Sequence, residues 1–161
     1  VVDAELRDQG LQQLDEADVF YIGGTKVGAM FGEAVVFTHG NMPKNFVTLV
    51  KQHGALLAKG WLLGVQFDTL FTDDLYCRIA RHANDAADRI REVLVERGYT
   101  LTFDAPTNQI FITLDNATSE RLQRNVRLGF MEKADDTHTV MRICTSWATT
   151  DEQVEQLIAL L

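Results

Sequence analysis

Lys26 is the residue of this chain best placed for covalent chemistry. It sits in DVFYIGGTKVG, residues 18–28, where the apolar run Val19, Phe20, Tyr21 and Ile22 stops at Gly23 and Gly24, then presents Thr25 and Lys26 ahead of Gly28. A strand that ends this way holds a lysine on a tight turn with little bulk around it, and glycines let the backbone approach a bound group closely. A primary amine so placed can attack a carbonyl and form a Schiff base, provided its surroundings keep part of its population neutral. The same window also describes an ordinary solvated turn lysine.

Arg142 is the second candidate. It lies between Met141 and Ile143 in MRICTSWAT, residues 141–149, inside a strand pattern where a cation is expensive unless an anion meets it. A guanidinium grips a carboxylate with two parallel bonds. The competing reading is a structural ion pair with one of the 23 acidic residues. Lys51 and Lys59, in KQHGALLAKGWLLGVQF at residues 51–67, read by pattern alone as solvated helix lysines. Thr107 and Asn108 in PTNQIF suit a turn and strand start, and Trp147 suits packing.

Other chemistries find no footing. The 4 histidines are scattered and meet no cysteine pair, which argues against a metal site. Cys77 and Cys144 are the only cysteines and read as reduced, packed thiols of a cytoplasmic protein. No Ser-His-Asp spacing, phosphate-cradling loop or carboxylate dyad is present. A net charge of −8 with a pI near 4.9 repels phosphate, so nucleic acid and anionic membrane surfaces are disfavoured partners. The most apolar stretch, residues 54–67, is too short to span a bilayer. The opening VVDAELRDQG carries no initiator methionine and no signal-peptide pattern, and reads as a helix entered partway in a piece of a longer chain.

The elements that must position these residues follow from periodicity. With 46% hydrophobic residues among 161, the chain can bury a sizeable core. Residues 6–14 read as a helix leading into a strand at 19–22. A second strand follows at 34–37, both of them runs of consecutive apolar residues expected to be covered on two faces of an α/β sheet. Helices are expected at 45–52 and at 55–71, the latter apolar on most sides and therefore buried or in a subunit contact. A third helix starts after Thr72 as N-cap and repeats Leu75, Ile79, Ala83, Ala86, Ile90 and Leu94 up to Gly98. The last third reads as strands at 99–103, 109–114, 129–132 and 139–144, with helices at 119–128 and at 151–161, the last capped by Thr150. That order suggests an α+β subdomain beside the end of an α/β sheet, with a boundary near residue 53.

Residues 18–37, DVFYIGGTKVGAMFGEAVVF, resemble the lysine segment of the low-specificity threonine aldolases, in the β-eliminating lyase branch of the pyridoxal-phosphate-dependent enzymes. The likeness continues in order through residues 51–67, HAND at 82–85, PTNQIF at 106–111 and MRICTSWAT at 141–149. It covers nearly everything from Asp15 onward. The resemblance implies an α/β chain of PLP-dependent transferase-like fold type I. Residues 1–53 would supply the end of the large-domain sheet, and residues 54–161 the C-terminal α+β small domain. It implies pyridoxal 5′-phosphate held by Lys26, with Thr25 near the phosphate and Lys51 close to a neighbouring subunit's active site. By the same likeness, Arg142 binds the α-carboxylate of an amino-acid substrate. In the 51–67 block many relatives carry a Gly-Gly pair and an arginine where this chain has Gly54–Ala55 and Ala58–Lys59, a departure in the segment that contacts the cofactor phosphate.

The implied activity is that of a carbon–carbon aldehyde-lyase cleaving L-threonine or L-allo-threonine to glycine and acetaldehyde, in a cytoplasmic homodimer or homotetramer. The family's pyridine-nitrogen aspartate, ring-stacking histidine and main phosphate loop belong to an upstream half, so little activity is expected of these residues alone. The alternatives are another β-eliminating lyase or aminotransferase-like reaction on the same scaffold, or a non-catalytic oligomerisation module in which Lys26 is a relic.

Overall fold

The structure is a computed structural model and describes residues 17–161. The helix expected at 6–14 lies outside the described residues. By its internal packing the chain divides into two compact units, the first running to Arg78 and the second over Ile79–Leu161.

In the first unit, β1 (Val19–Gly23) pairs antiparallel with β2 (Glu33–Phe37), and Gly23 faces Glu33 at the end of the ladder. β-Branched and aromatic residues suit such a pleated pair. Phe20, Ile22, Ala34 and Val36 share its half-buried face, whereas Val19, Tyr21 and Val35 stand exposed on the other, Tyr21 by 72%. The two-sided covering expected of these strands is therefore not made within the described residues. Two helices follow, α1 (Phe46–Gln52) and α2 (Trp61–Phe71). The helix expected over 55–71 begins only at Trp61, because residues 57–62 make short turn bonds, Gly60 N–H to the Leu57 carbonyl and Leu62 N–H to Lys59. Nor is α2 buried on most sides. Phe67 and Leu70 are its buried residues, and Trp61, Leu62 and Val65 face outward.

Thr72 does not cap the next helix. Its hydroxyl donates to the Asp68 carbonyl at 2.7 Å, closing the end of α2. Asp73 and Asp74 then take positive φ angles of 51° and 55°, which turns the chain sharply into α3 (Leu75–Glu96). Short acidic side chains tolerate this left-handed region better than most.

In the second unit, α3 presents Ala80, Ala83, Ala86, Ala87, Ile90 and Leu94 as one buried stripe. The helix ends in a Schellman arrangement: Gly98 (φ 78°) bonds back to Val95 and Tyr99 N–H to the Leu94 carbonyl at 2.9 Å. Beyond it an antiparallel sheet runs in the order β3-β4-β6-β5, from β3 (Thr100–Leu101), β4 (Gln109–Asp115), β5 (Gly129–Lys133) and β6 (His138–Cys144). The strand expected at 99–103 is thus shorter than its pattern suggests. Between β4 and β5 lies α4 (Asn116–Gln123), not a helix over 119–128. Asp115 is its N-cap, accepting the Thr118 N–H at 2.9 Å.

The closing helix α5 (Asp151–Leu160) begins at Thr150 in a reciprocal capping box with Gln153. Its terminal carbonyls are satisfied from outside: Arg97 donates to Ile158, Arg121 to Leu160 and Tyr99 to Leu161. Ile110, Ile112, Leu114, Met141 and Ile143 of the sheet meet Leu94, Leu122 and Val154 of the three helices in one core. Side chains alternate along a strand, so Arg142, between Met141 and Ile143, belongs to the opposite face.

Candidate functional site

Lys26 occupies a single 3-10 turn (Thr25–Val27) between β1 and β2. The turn closes through Val27 N–H and Ala29 N–H, both donating to the Gly24 carbonyl, at 3.1 and 2.9 Å. Val27 and Ala29 are buried while Thr25 and Lys26 are exposed. Two apolar anchors thus hold the turn down and present the amine and hydroxyl outward. Gly24 lies against the Phe67 ring, and a Cβ there would fall 2.6 Å from the Ala29 Cβ. The glycine is required for packing under the turn.

The loop that carries Lys26 is fastened at both ends. Tyr76 donates its hydroxyl to the Gly23 carbonyl at 2.8 Å, and burial pushes that phenol above its ordinary value. On the far side, Gln66 of α2 accepts the Met30 N–H at 2.7 Å and donates to the Phe31 carbonyl at 3.4 Å. Sequence reading missed both residues. A tyrosine and a glutamine on helices carry no signal until the loop is seen beneath them.

Lys51 lies in the last turn of α1 and is exposed, and Lys59 is exposed ahead of α2. Thr25, Lys26 and Lys51 belong to the first unit and Arg142 to the second.

Arg142 is half-buried. Its Nη1 donates to Gln109 Oε1 at 3.1 Å, while its Nε is buried with no hydrogen-bond partner. Among the described residues no carboxylate forms an ion pair with it, so the structural salt bridge considered from the sequence is not made there. The arginine lines a cavity of about 310 Å³ with Gly129, Cys144, Thr145 and Gln153. Asn108 fixes the neighbouring strand ends, donating to the Thr145 carbonyl at 2.7 Å, and Thr145 bonds Ala83 of α3 at 2.6 Å. That agrees with a turn role for Asn108. A larger depression of about 560 Å³ lined by Arg97, Tyr99, Asp115 and His138 contains none of the candidates.

Cys77 and Cys144 are both free and both exposed, not packed as expected. Among the described residues no cluster of histidine, cysteine, aspartate or glutamate could hold a metal ion, and no helix is long and apolar enough to cross a membrane.

This architecture has relatives. The chain is 30% identical over 141 residues to a low specificity L-threonine aldolase from Pseudomonas aeruginosa, a match covering 87% of this chain and 40% of that protein. A low specificity L-threonine aldolase of a Pseudomonas species matches at 30% over 143 residues, 88% of this chain and 40% of that protein. A solved threonine aldolase from Leishmania major superposes with a TM-score of 0.86 at 36% identity, covering 93% of this chain and 44% of that structure. The serine palmitoyltransferase of Sphingomonas wittichii, at 18% identity and TM-score 0.62 over 94% of this chain and 40% of that one, shares the fold. No family model matches the chain. The fold is thus fold type I of the pyridoxal-phosphate enzymes, as the sequence led us to expect. The chain is similar to the C-terminal part of the low specificity L-threonine aldolases and spans about 40% of the length of the curated relatives it matches.

Proposed function

We propose that this chain is the lysine-bearing part of a pyridoxal-phosphate-dependent aldehyde-lyase acting on L-threonine, L-allo-threonine and similar β-hydroxy-α-amino acids. The observation that carries this reading is the placement of Lys26. It is an exposed amine on a tightly anchored turn at the end of β1, in a chain similar over nearly its full length to threonine aldolases. The residues fit the cofactor. Among the described residues neither Lys26 nor Thr25 commits its side chain to another group, which leaves an amine for the aldehyde and a hydroxyl for the phosphate.

When bound, pyridoxal phosphate supplies the electron sink for cleavage of the Cα–Cβ bond. Lys26 would hold the cofactor through its amine, and the same amine would move protons at the substrate Cα. Arg142 orients the substrate through its carboxylate. Its buried, unpartnered Nε is the kind of donor that an anionic ligand completes, and a forked guanidinium suits that ligand. Lys51 is assigned to cofactor binding in a neighbouring subunit's active site, for which its exposed position leaves it available. The remaining groups, including the base for the β-hydroxyl proton, are assigned to residues beyond this chain, and little activity is expected without them.

The division at residues 1–53 and 54–161, into the end of the large domain and the small domain, goes with this reading. So does a homodimer or homotetramer, which the outward-facing Trp61, Leu62 and Val65 of α2 would serve. A cytoplasmic location accords with two free cysteines.

The full-length protein with pyridoxal phosphate tests the reading. It should show a visible absorption band that Lys26→Ala abolishes, and should release acetaldehyde from threonine. A Lys26-dependent band without acetaldehyde favours a different lyase or transaminase. Absence of any Lys26-dependent band favours the non-catalytic module.

A further inference from the structure

The single turn that carries Lys26 makes few bonds of its own, yet the loop between Gly23 and Glu33 has a defined path. Gly23 and Glu33 close it as the last ladder pair. Inside it the Val27 and Ala29 N–H groups both donate to one carbonyl, that of Gly24. The rest is supplied by side chains from the helices of the same unit. Gln66 behaves as a piece of strand: its amide oxygen takes the Met30 N–H and its amide nitrogen serves the Phe31 and Leu62 carbonyls. Tyr76 takes the Gly23 carbonyl at the entry, two residues before the Lys26 turn begins. Phe67, one residue along α2, fills the space under Gly24, and Leu63, one turn earlier, comes so close to Gly32 that a Cβ there would lie 2.3 Å from its Cδ2. Gly32, at φ 94°, also holds a backbone conformation that side-chain-bearing residues rarely adopt.

We propose that Gln66 and Tyr76 are positioning residues for Lys26, clamping the exit and the entry of its loop so that the amine meets the cofactor aldehyde at a fixed place. The inference rests on the assignment of Lys26 to the cofactor. It is independent of which amino acid is cleaved. The Tyr76 bond is part-buried and the Gln66 bonds lie at the surface, and each ties a backbone group of the loop to a side chain on a helix, so a group that loses its partner is released to move. A lysine side chain is long and flexible, so the location of its Cα is set by the loop, not by the side chain. Small errors there translate into large losses of reactive geometry. Neither side chain is called on to touch cofactor or substrate.

The test uses the full-length protein as wild type, Lys26→Ala, Gln66→Leu, Gln66→Glu and Tyr76→Phe. Three quantities are read: the pyridoxal phosphate concentration that half-fills the visible band, the pH midpoint of that band, and hydrogen exchange of the peptide spanning residues 23–33 before cofactor is added. Gln66→Leu and Tyr76→Phe should raise the half-filling concentration by roughly ten-fold, shift the pH midpoint, and speed exchange in that peptide. Gln66→Glu retains an acceptor for Met30 N–H and should recover part of the loss. Melting temperatures monitor global folding, and Tyr76→Phe removes only a hydroxyl, so it remains informative if Gln66→Leu fails to fold. A Lys26-dependent band in wild type with unchanged filling and pH midpoint in Tyr76→Phe and the Gln66 variants overturns the clamp while leaving the Lys26 assignment intact. A wild-type band that survives Lys26→Ala overturns both.

Discussion

Arg142 donates Nη1–H to Gln109 Oε1 at 3.1 Å across the β4–β6 pair, on the diagonal from its direct partner Phe111. The bond is neutral on one side. It aims the guanidinium without discharging it, and the buried Nε stays unpartnered. A surface arginine would find water or a carboxylate, whereas this one is held half-buried with its charge in reserve.

Removing that cation should therefore be felt in substrate binding. Arg142→Gln in the full-length protein is expected to raise KM for threonine by roughly 10- to 100-fold, the scale of one charge-assisted bond, and to leave the Lys26-dependent band in place. Gln109→Leu, which frees the guanidinium without deleting it, should raise KM by less. Steady-state kinetics on both variants, with the band recorded alongside, checks the pair.

Much of this was legible in the residues. The apolar run into GGTK placed Lys26 at a strand exit, and Arg142 stood out because its neighbours Met141 and Ile143 belong to a core. The cap at Thr150 and the stop at Gly98 were equally readable, since both depend on local chemistry. What the sequence concealed was tertiary. Thr72 followed by two aspartates has the composition of an N-cap, but its hydroxyl turns back to Asp68 and the aspartates adopt positive φ. The apolar density of residues 55–71 suggested burial, while only Phe67 and Leu70 are covered in this chain. Gln66 and Tyr76 were invisible because their partners are backbone atoms 36 and 53 residues away.

Packing beneath the lysine turn gives a second prediction. Gly24→Ala puts a methyl 2.6 Å from the Ala29 Cβ and 3.1 Å from the Phe67 ring, neither a flexible chain end. The turn must move. The expected result is a loss of about 1–3 kcal/mol in stability, typical of overpacking, together with weaker cofactor incorporation. Urea melts and a pyridoxal phosphate titration measure the two effects separately.

The capping box at Thr150 predicts a purely structural change. Thr150→Ala loses the bond to Gln153 N–H and should lower stability by about 1 kcal/mol, or about 2–4 °C in Tm for a chain of this size. The Lys26-dependent band should keep its pH midpoint. Differential calorimetry and a pH titration of the band decide it.

Asp135 supplies a pH dependence. The Thr137 N–H and hydroxyl, followed by the neighbouring His138, hold its carboxyl well below its ordinary value of 3.8. A carboxylate with a depressed folded-state pKa contributes stability that is present above pH 3.8 and is lost as pH falls through its lower folded value. Asp135→Asn should therefore be less stable than wild type at neutral pH, with the gap narrowing progressively below pH 3.8. Urea melts at pH 7 and across the acid range provide the measurement. A gap that stays constant or widens in acid contradicts the assignment.

The most direct test is to find which amine holds the cofactor. Full-length protein incubated with pyridoxal phosphate, reduced with borohydride and digested should carry the phosphopyridoxyl group on the peptide containing Lys26, at near one group per chain. Modification spread over the exposed Lys51 and Lys59, or a Lys26 peptide recovered unmodified, would contradict the account.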